Sequence, residues 1–445
     1  MWKFQRFLYK SYVAAYPVAL RRKRRITTAG TLVFIATLMA AVFGIDTTKT
    51  TAYQLFTLLC CLFTIGFVAS CFFRIRVSIT RRLPPFATAG ETLRYSITLR
   101  NHSKKRMDGL LLQEVPVIKY PTFEEFVDAR EPGESTRNGW DRMVKYHRFQ
   151  WLTDRQNAAF PREHRLPAVG ANSYLKTYVE LLPRHRGYLE LSGIDIKRME
   201  PFGLFKSSVK IATANRLLVL PKRYDVPDVR LPGKRKFHAG GIALASSVGN
   251  AEEFRSLREY RPGDPMRLLH WKSVAKTSEL IIRENEDEFF VRHALVLDTF
   301  SLHPYSERFE TAVSIAASLA CTVRSQESML DLMFVGDKAH CFSAGRGVDH
   351  TGRMLETLAC ITPCRDKPFS ELYPLVRSHV SMLSGCICIL QQWDEERAEL
   401  IRILMQYNVP VKVLVTIEGD ESLPKTFIPL HPVHTERPEE GLSRL

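Results

Sequence analysis

The residues with the greatest capacity for chemistry crowd between Glu252 and Glu284: Arg258, Asp264, Arg267, His270, Lys272 and Ser273 stand within sixteen positions of one another. Asp264, His270 and Ser273 have the types of a hydrolytic triad. Their closeness along the chain argues against one, because such groups normally converge from separate segments of a fold. His270, next to Trp271, reads instead as a packed, hydrogen-bonded residue. Charges of both signs nearly cancel here and are threaded among Phe254, Leu257, Tyr260 and Trp271. That pattern predicts a half-buried network of ion pairs, in which arginine forks on carboxylates are the pairs that survive partial burial.

Local elements must position these groups. Pro262-Gly263-Asp264-Pro265 is a turn between two periodic segments. Met266, Leu269, Val274 and the stem of Lys272 follow a helical spacing, and Glu279 to Glu284, centred on Ile281 and Ile282, predicts a short strand.

Other chemistries lack their residues. The chain has no Gly-x-x-x-x-Gly-Lys-Ser/Thr loop and no His-Glu-x-x-His helix, so neither P-loop nucleotide binding nor a zinc-protease centre is expected. No cysteine lies between Cys71 and Cys321, which removes a thiol nucleophile from that span. Cys386 and Cys388 fall in an apolar strand pattern rather than a metal-binding turn, and reduced, buried thiols are the simplest account. No cofactor is expected, and no catalytic residue is assigned.

The frame is a chain of 445 residues with a net charge of +16. Its first 25 residues contain Lys3, Arg6, Lys10 and the run Arg21 to Arg25, with no acid. Two apolar stretches follow, Ile26 to Ile45 and Ala52 to Phe73, each close to the ~20 residues that cross a bilayer as a helix. Joined by Asp46 to Thr51, they predict a transmembrane hairpin. Arg21 to Arg25 before it and Arg74, Arg76, Arg81 and Arg82 behind it place both termini and the soluble domains in the cytoplasm by the positive-inside rule. The basic arm, with Trp2, Phe4, Phe7 and Tyr12, suits an anionic lipid surface, and nucleic acid is not the expected partner.

Beyond the membrane, Leu93, Tyr95, Ile97 and Leu99 alternate with polar residues. With further strands at 110–113, 175–182, 188–196 and 217–220, they predict a β-sandwich over 75–220. Between Glu124 and Gly170 the periodicity fails. Arg137 to Trp151 interleaves bases with aromatics, either as an insertion packed on the sandwich or as a loop facing lipid or nucleic acid. Residues 221–290 read as a linker, loose between Leu231 and Val248, followed by the charged segment. From residue 291 to 445 strands alternate with helices, which implies a mostly parallel sheet covered on both faces, and the proline-containing tail after Ser422 is expected to be irregular.

The charged segment resembles the signature of the bacterial domain-of-unknown-function family fifty-eight. The matching residues are Glu253-Phe254, Leu257-Arg258-Glu259-Tyr260, Pro262-Gly263-Asp264, Arg267, His270-Trp271-Lys272, Ala275, Glu279-Leu280 and Arg283-Glu284. Upstream, Arg184 to Gly187 and Glu200-Pro-Phe-Gly-Leu-Phe205 are similar to the family too, with Glu200 where Asp is usual. Gly203 is expected in a turn, and Phe202 and Phe205 in the core. The resemblance implies a von Willebrand A-like, Rossmann-type carboxy-terminal domain and work beside a MoxR-type AAA+ ATPase. The fold class is thus multidomain α and β: a transmembrane hairpin over 26–73 after the arm 1–25, a β-sandwich, then the α/β domain.

In von Willebrand A domains an Asp-x-Ser-x-Ser loop, a Thr and a second Asp hold a metal. Here Phe300 and Leu302 replace the serines after Asp298, with Thr351 and Asp394 roughly where the other ligands would fall. No functional metal is expected, and Asp298 is expected to order its loop through backbone N–H groups. The expected function is a non-catalytic inner-membrane adaptor or scaffold that works with the ATPase in assembling or maturing protein complexes. Arg258, Tyr260, Gly263, Asp264, Arg267, His270, Trp271 and Lys272 form its partner-binding or structural signature. Rival readings are a metal-dependent ligand-binding module and a hydrolase tied to cell-wall turnover. The sequence sets no oligomeric state.

Overall fold

The computed structural model describes residues 2–43, 50–131, 133–157, 159–227, 237–238, 254–262, 264, 266, 269–277, 279–285, 289–301, 306–322, 328–344, 348–419 and 421–443. They fall into two compact units, Met1–Lys222 and Arg223–Leu445.

The first unit opens with three helices, α1 (Trp2–Arg25), α2 (Thr28–Phe43) and α3 (Thr50–Cys71). Among the described residues, only α3 is long and apolar enough to cross a membrane, over Tyr53–Cys71. Helix α2 is equally apolar, but its 16 residues span about 24 Å, short of the ~30 Å hydrocarbon layer. Two full spans were expected, and one is found among the described residues. The two helices lie side by side, with the rings of Phe34 and Phe63 5.6 Å apart.

Helix α1 is not the free basic arm that its charge suggested. Tyr9, Tyr12 and Tyr16 recur along one helical face and pack on α4 (Phe123–Asp128) and α6 (Tyr146–Gln156), around Phe126, Phe149 and Leu152. The Tyr9 and Tyr12 hydroxyls donate to the carbonyls of Pro121 and Val144, each at 2.8 Å. The segment Arg137 to Trp151 is therefore mostly helical, through α5 (Gly139–Val144) and α6, and its central aromatic, Phe149, is core. Arg148, one of the bases of that run, is buried against Glu134 at 2.5 Å. Interleaving that looked like a ligand-facing pattern is helical periodicity, with one face dry.

The strands of this unit are β1 (Val77–Arg82), β2 (Phe86–Thr88), β3 (Leu93–Asn101), β4 (Leu110–Pro116), β5 (Ala159–Phe160), β6 (Glu163–Arg165), β7 (Tyr174–Pro183), β8 (Gly187–Met199) and β9 (Lys206–Leu220). They form sheets ordered β1-β3-β7-β5 and β2-β9-β8-β4-β6. Tyr95, Ile97, Leu99, Val179 and Leu181 of one sheet share a core with Leu112, Leu191, Ile194, Ile196 and Val219 of the other. Alternation along β3 puts its apolar set inward, as its period of two requires. Inside this core Arg81 forks onto Glu114 (2.6 and 3.1 Å), and Tyr95 donates to the same carboxylate at 2.5 Å. Burial pushes the Glu114 carboxyl up, with Arg81 opposing.

The turn from β8 to β9 holds the helices to the sandwich. Glu200 turns its carboxylate inward and accepts the backbone N–H groups of Phe202, Leu204 and Phe205 at 2.6, 2.5 and 3.2 Å. Gly203 adopts a positive φ of 71°, as its expected turn role requires. The carbonyls this exposes accept from Thr27, whose backbone N–H and hydroxyl reach Leu204 (3.1 and 3.0 Å) and whose hydroxyl reaches Gly203 (2.6 Å). The Gly30 N–H donates back to the Thr27 hydroxyl at 3.0 Å, capping α2. A Cβ on Gly30 would stand 2.2 Å from the Leu204 carbonyl oxygen, so only glycine permits this approach. Phe205 is core, with its ring 4.8 Å from Phe63 and 5.8 Å from Phe67. Phe202, expected beside it, is 49% exposed, because the turn points it away.

The second unit comprises the strands β10 (Phe237–His238), β11 (Phe254–Glu259), β12 (Ile281–Asn285), β13 (Phe289–Leu297), β14 (Ser328–Val335), β15 (Ala339–Ala344), β16 (Gly385–Leu390), β17 (Val411–Ile417) and β18 (Leu430–His434). Its helices are α7 (Trp271–Thr277), α8 (Glu307–Thr322), α9 (Val348–Cys360), α10 (Leu372–His379), α11 (Glu395–Gln406) and α12 (Pro438–Leu442). The main sheet runs β15-β14-β13-β16-β17-β18, parallel apart from β15, with β10 pairing β13. Most of Leu231 to Val248, expected to be loose, lies outside the described residues.

The tail is more ordered than its prolines implied. β18 adds a parallel strand with Val433 buried, and α12 buries Leu442 behind it. Pro432, lacking an N–H, is tolerated because β18 is the sheet's edge. Cys386 and Cys388 are fully buried in β16, as their apolar pattern predicted.

Candidate functional site

The signature folds as a hairpin with an elaborated loop. β11 and β12 pair antiparallel, Arg258 opposite Ile282 and Glu259 opposite Ile281. The chain then doubles back: the Tyr260 N–H donates to Leu280 (2.8 Å), the His270 N–H donates to Ile281 (2.9 Å), and Leu269 bridges Ile282. Leu269 and Ile282 are the buried pair beneath this loop.

Asp264 closes the turn. It accepts the Arg261 N–H at 2.9 Å and receives both terminal nitrogens of Arg258, at 2.7 and 2.9 Å. Those bonds, the Arg258 fork first, hold its carboxyl well below the usual range, at about 2. His270 sits immediately before α7, where its carbonyl accepts the N–H groups of Ser273 and Val274, and its Nδ1 lies 2.7 Å from the Ser273 hydroxyl. Two of the three imagined triad members therefore touch, but as a helix start. Asp264 spends its oxygens on Arg258 and Arg261.

Trp271, expected half-buried, is instead 67% exposed. Leu257, Met266 and Leu280 are exposed with it, and Lys272 lies in solvent beside Trp271. Tyr260 is half-buried. Gly263 and Arg267, the remaining signature residues, lie outside the described residues.

A second constellation occupies the carboxyl ends of the parallel strands. β13 has β14 on one side and β16 on the other, so the chain reverses direction of winding between β13 and β16. In open α/β sheets that point is the usual ligand crevice. Asp298 follows β13 there and is fully buried. It accepts the Phe300 N–H at 3.1 Å, the Gln391 N–H at 3.0 Å and Arg397 Nε at 2.7 Å. The first of these is the loop-ordering role expected of it. Complete burial pushes the Asp298 carboxyl up, and the Arg397 guanidinium opposes that push.

Arg397 was not singled out from the sequence. It lies in α11, and its Nη1 bonds Asp394, whose other oxygen caps that helix by accepting the Arg397 N–H at 2.9 Å. The guanidinium also lies over the Phe369 ring, 4.6 Å from its centre. The two aspartates weighed as metal ligands thus clasp one internal arginine. Thr351, the third residue of that set, lies in α9. An Asp-x-x-Arg spacing at a helix start was the available signal, but Asp298 stands 99 residues away and only the topology joins it.

Residues 256–426 match the family described as "Protein of unknown function DUF58". "Uncharacterized protein YeaD" of Bacillus subtilis (strain 168) is 34% identical over 104 residues, covering 23% of this chain and 25% of that protein. The chain therefore spans about a quarter of the length of that curated relative. Among solved structures, the CARDB domain of a Pyrococcus furiosus protein covers 32% of this chain and 93% of that one, at 6% identity and a TM-score of 0.17. Pseudomonas fluorescens alkylpurine DNA glycosylase AlkC bound to DNA covers 37% and 38%, at 11% identity and a TM-score of 0.19. Likenesses this faint define neither fold nor function. The sequence match covers both the hairpin and the crevice, and over residues 256–426 the chain is similar to the DUF58 family.

Proposed function

We propose that the protein is a non-catalytic, membrane-anchored adaptor whose signature hairpin docks a MoxR-type AAA+ ATPase during assembly or maturation of other complexes. In this reading α3 anchors the protein in the inner membrane with the shorter α2 beside it, both termini and the soluble units lie in the cytoplasm, and the second unit is von Willebrand A-like. One observation carries the docking role. Leu257, Met266, Trp271 and Leu280 are exposed around a rigid Arg258–Asp264 fork, where an internal locking element would bury them. An exposed tryptophan among fixed charges has the composition of a binding hot spot, with the charges setting orientation and encounter rate.

The absence of a catalytic role is supported by the same geometry. His270 and Ser273 are held as a helix start, and Asp264 is spent on Arg258. A metal-dependent reading gains nothing from the crevice, because Arg397 takes the carboxylates there.

The test is cross-linking in cells followed by purification in mild detergent, comparing the wild type with Trp271→Ala and Asp264→Ala. A MoxR-type ATPase captured by the wild type and lost from variants with unchanged melting curves is the expected result. Capture that survives both substitutions refutes the docking surface. Resistance of the chain to carbonate extraction from membranes tests the anchor separately.

A further inference from the structure

Where α3 passes into the sandwich, the first unit holds an open cavity of about 1110 Å³. Its lysines and arginines come from three places: Arg74 and Arg76 from the segment leaving α3, Lys104, Lys105 and Arg106 from the β3–β4 connection, and Arg198 from the end of β8. All six are exposed; Arg106 pairs with Asp108 at 3.3 Å, and among the described residues the other five have no acidic partner. The one carboxylate on the wall, Glu200, is buried and already accepts three backbone N–H groups. The cavity is thus a concentrated, uncompensated positive site.

Its other wall is apolar. Phe72, 75% exposed, and Met199 flank the cations just beyond the last turn of the membrane-length helix. Free phosphate would use the charges and leave this wall wet. A nucleic acid would need a groove tracking several phosphates rather than one recess. A ligand with a phosphate at one end and hydrocarbon at the other satisfies both walls. Basic recesses at the end of a membrane helix are suited to such headgroups, and the surface charge of an anionic leaflet supplies them at high local concentration.

We propose that this cavity binds the headgroup of an anionic phospholipid, with Arg74, Arg76, Lys104, Lys105 and Arg198 around the phosphate and the acyl chains running past Phe72 along α3. The proposal rests on the membrane-anchored reading for its physiological setting but not for its chemistry. A lipid bound here would fix the sandwich against the bilayer surface, on the same side as the turn that grips Thr27 and Phe205.

The test uses the full chain in dodecyl maltoside micelles and counts bound ligand by native mass spectrometry. Dioctanoyl phosphatidylglycerol, dioctanoyl phosphatidylcholine, inorganic phosphate and a short single-stranded RNA are titrated in parallel. Phosphatidylglycerol should bind at least ten-fold more tightly than phosphatidylcholine, without displacement by equimolar phosphate. The triple substitution Lys104→Gln, Lys105→Gln, Arg198→Gln should remove that preference, with Lys176→Gln on the exposed face of β7 leaving it intact. All four positions are exposed, so melting curves should coincide. Equal binding of the two lipids, an unaffected triple variant, competition by free phosphate or tighter binding of RNA each overturns the proposal. A chain that carbonate strips from membranes yet still selects phosphatidylglycerol in micelles would refute the anchor and leave the cavity standing.

Discussion

Two arginine–aspartate pairs of the second unit, Arg258–Asp264 and Arg397–Asp298, share their chemistry and their length and differ in almost everything else. Arg258 meets Asp264 at 2.7 Å with side chains 34% and 15% exposed. Arg397 meets Asp298, also at 2.7 Å, with side chains 4% and 0% exposed. The first pair joins residues six apart in one loop, and the second joins strand end to helix across 99 residues. Water decides what each can do. A half-exposed pair gains less from Coulomb attraction, which solvent and salt screen, so its use lies in holding a loop shape and presenting charge. A buried pair has lost its hydration, so each member depends on the other and neither is available to a partner.

The sharpest way to break this contrast is to remove one buried member. Arg397→Met leaves the Asp298 carboxylate without its cation, and removal of one partner of a buried pair costs about 3–5 kcal/mol. Chemical denaturation should show that loss in the transition of the second unit. A variant that unfolds with the wild type would mean the crevice is wet enough to solvate Asp298. The next effect is smaller and tests the coupling. Asp298→Asn combined with Arg397→Met removes both charges, and the double variant should recover about 1–3 kcal/mol relative to the sum of the single losses. Strict additivity would show that the two groups do not depend on each other.

Arg258→Ala probes the other side. Its melting temperature should fall by far less than that of Arg397→Met, because the part-exposed Asp264 can be rehydrated, but capture of the ATPase should fall. An early-melting variant would move the signature from presentation to internal support.

The contrast also shows what could be read from the chain. Regular elements were legible wherever a single face sets the pattern: the alternation of Leu93 to Leu99 became β3, and Gly385 to Leu390 became β16. Pairs close in sequence were legible too, since Arg258 and Asp264 needed only a turn. Arg397 was not, because its partner arrives through sheet topology. The aromatic and basic run from Arg137 to Trp151 stayed open between a packed insertion and a ligand-facing loop for a related reason. Its dry face is supplied by the tyrosines of α1, over a hundred residues earlier, and a segment's own pattern does not reveal what will cover it. Phe202 and Phe205 look alike in sequence, and only the left-handed turn at Gly203 separates an exposed ring from a core one.

The smallest effect expected is the most selective for the surface pair. Asp264 has its carboxyl lowered from 3.8 to about 2 by the Arg258 fork and the Arg261 N–H. A depressed folded value means the contribution is fully present above the unfolded value and is lost as pH falls through the folded one. The difference in stability between wild type and Asp264→Asn should therefore be constant from pH 7 to about pH 5 and shrink between about pH 4 and pH 2. Taking the difference cancels the other carboxylates, which titrate in both proteins. Molar salt should shrink the same difference at pH 7, because the pair is part-exposed to solvent, and should leave the cost of Arg397→Met nearly unchanged. A salt-insensitive Asp264 difference would mean that the fork is shielded from solvent, and the two arginine–aspartate pairs would then be one kind of interaction rather than two.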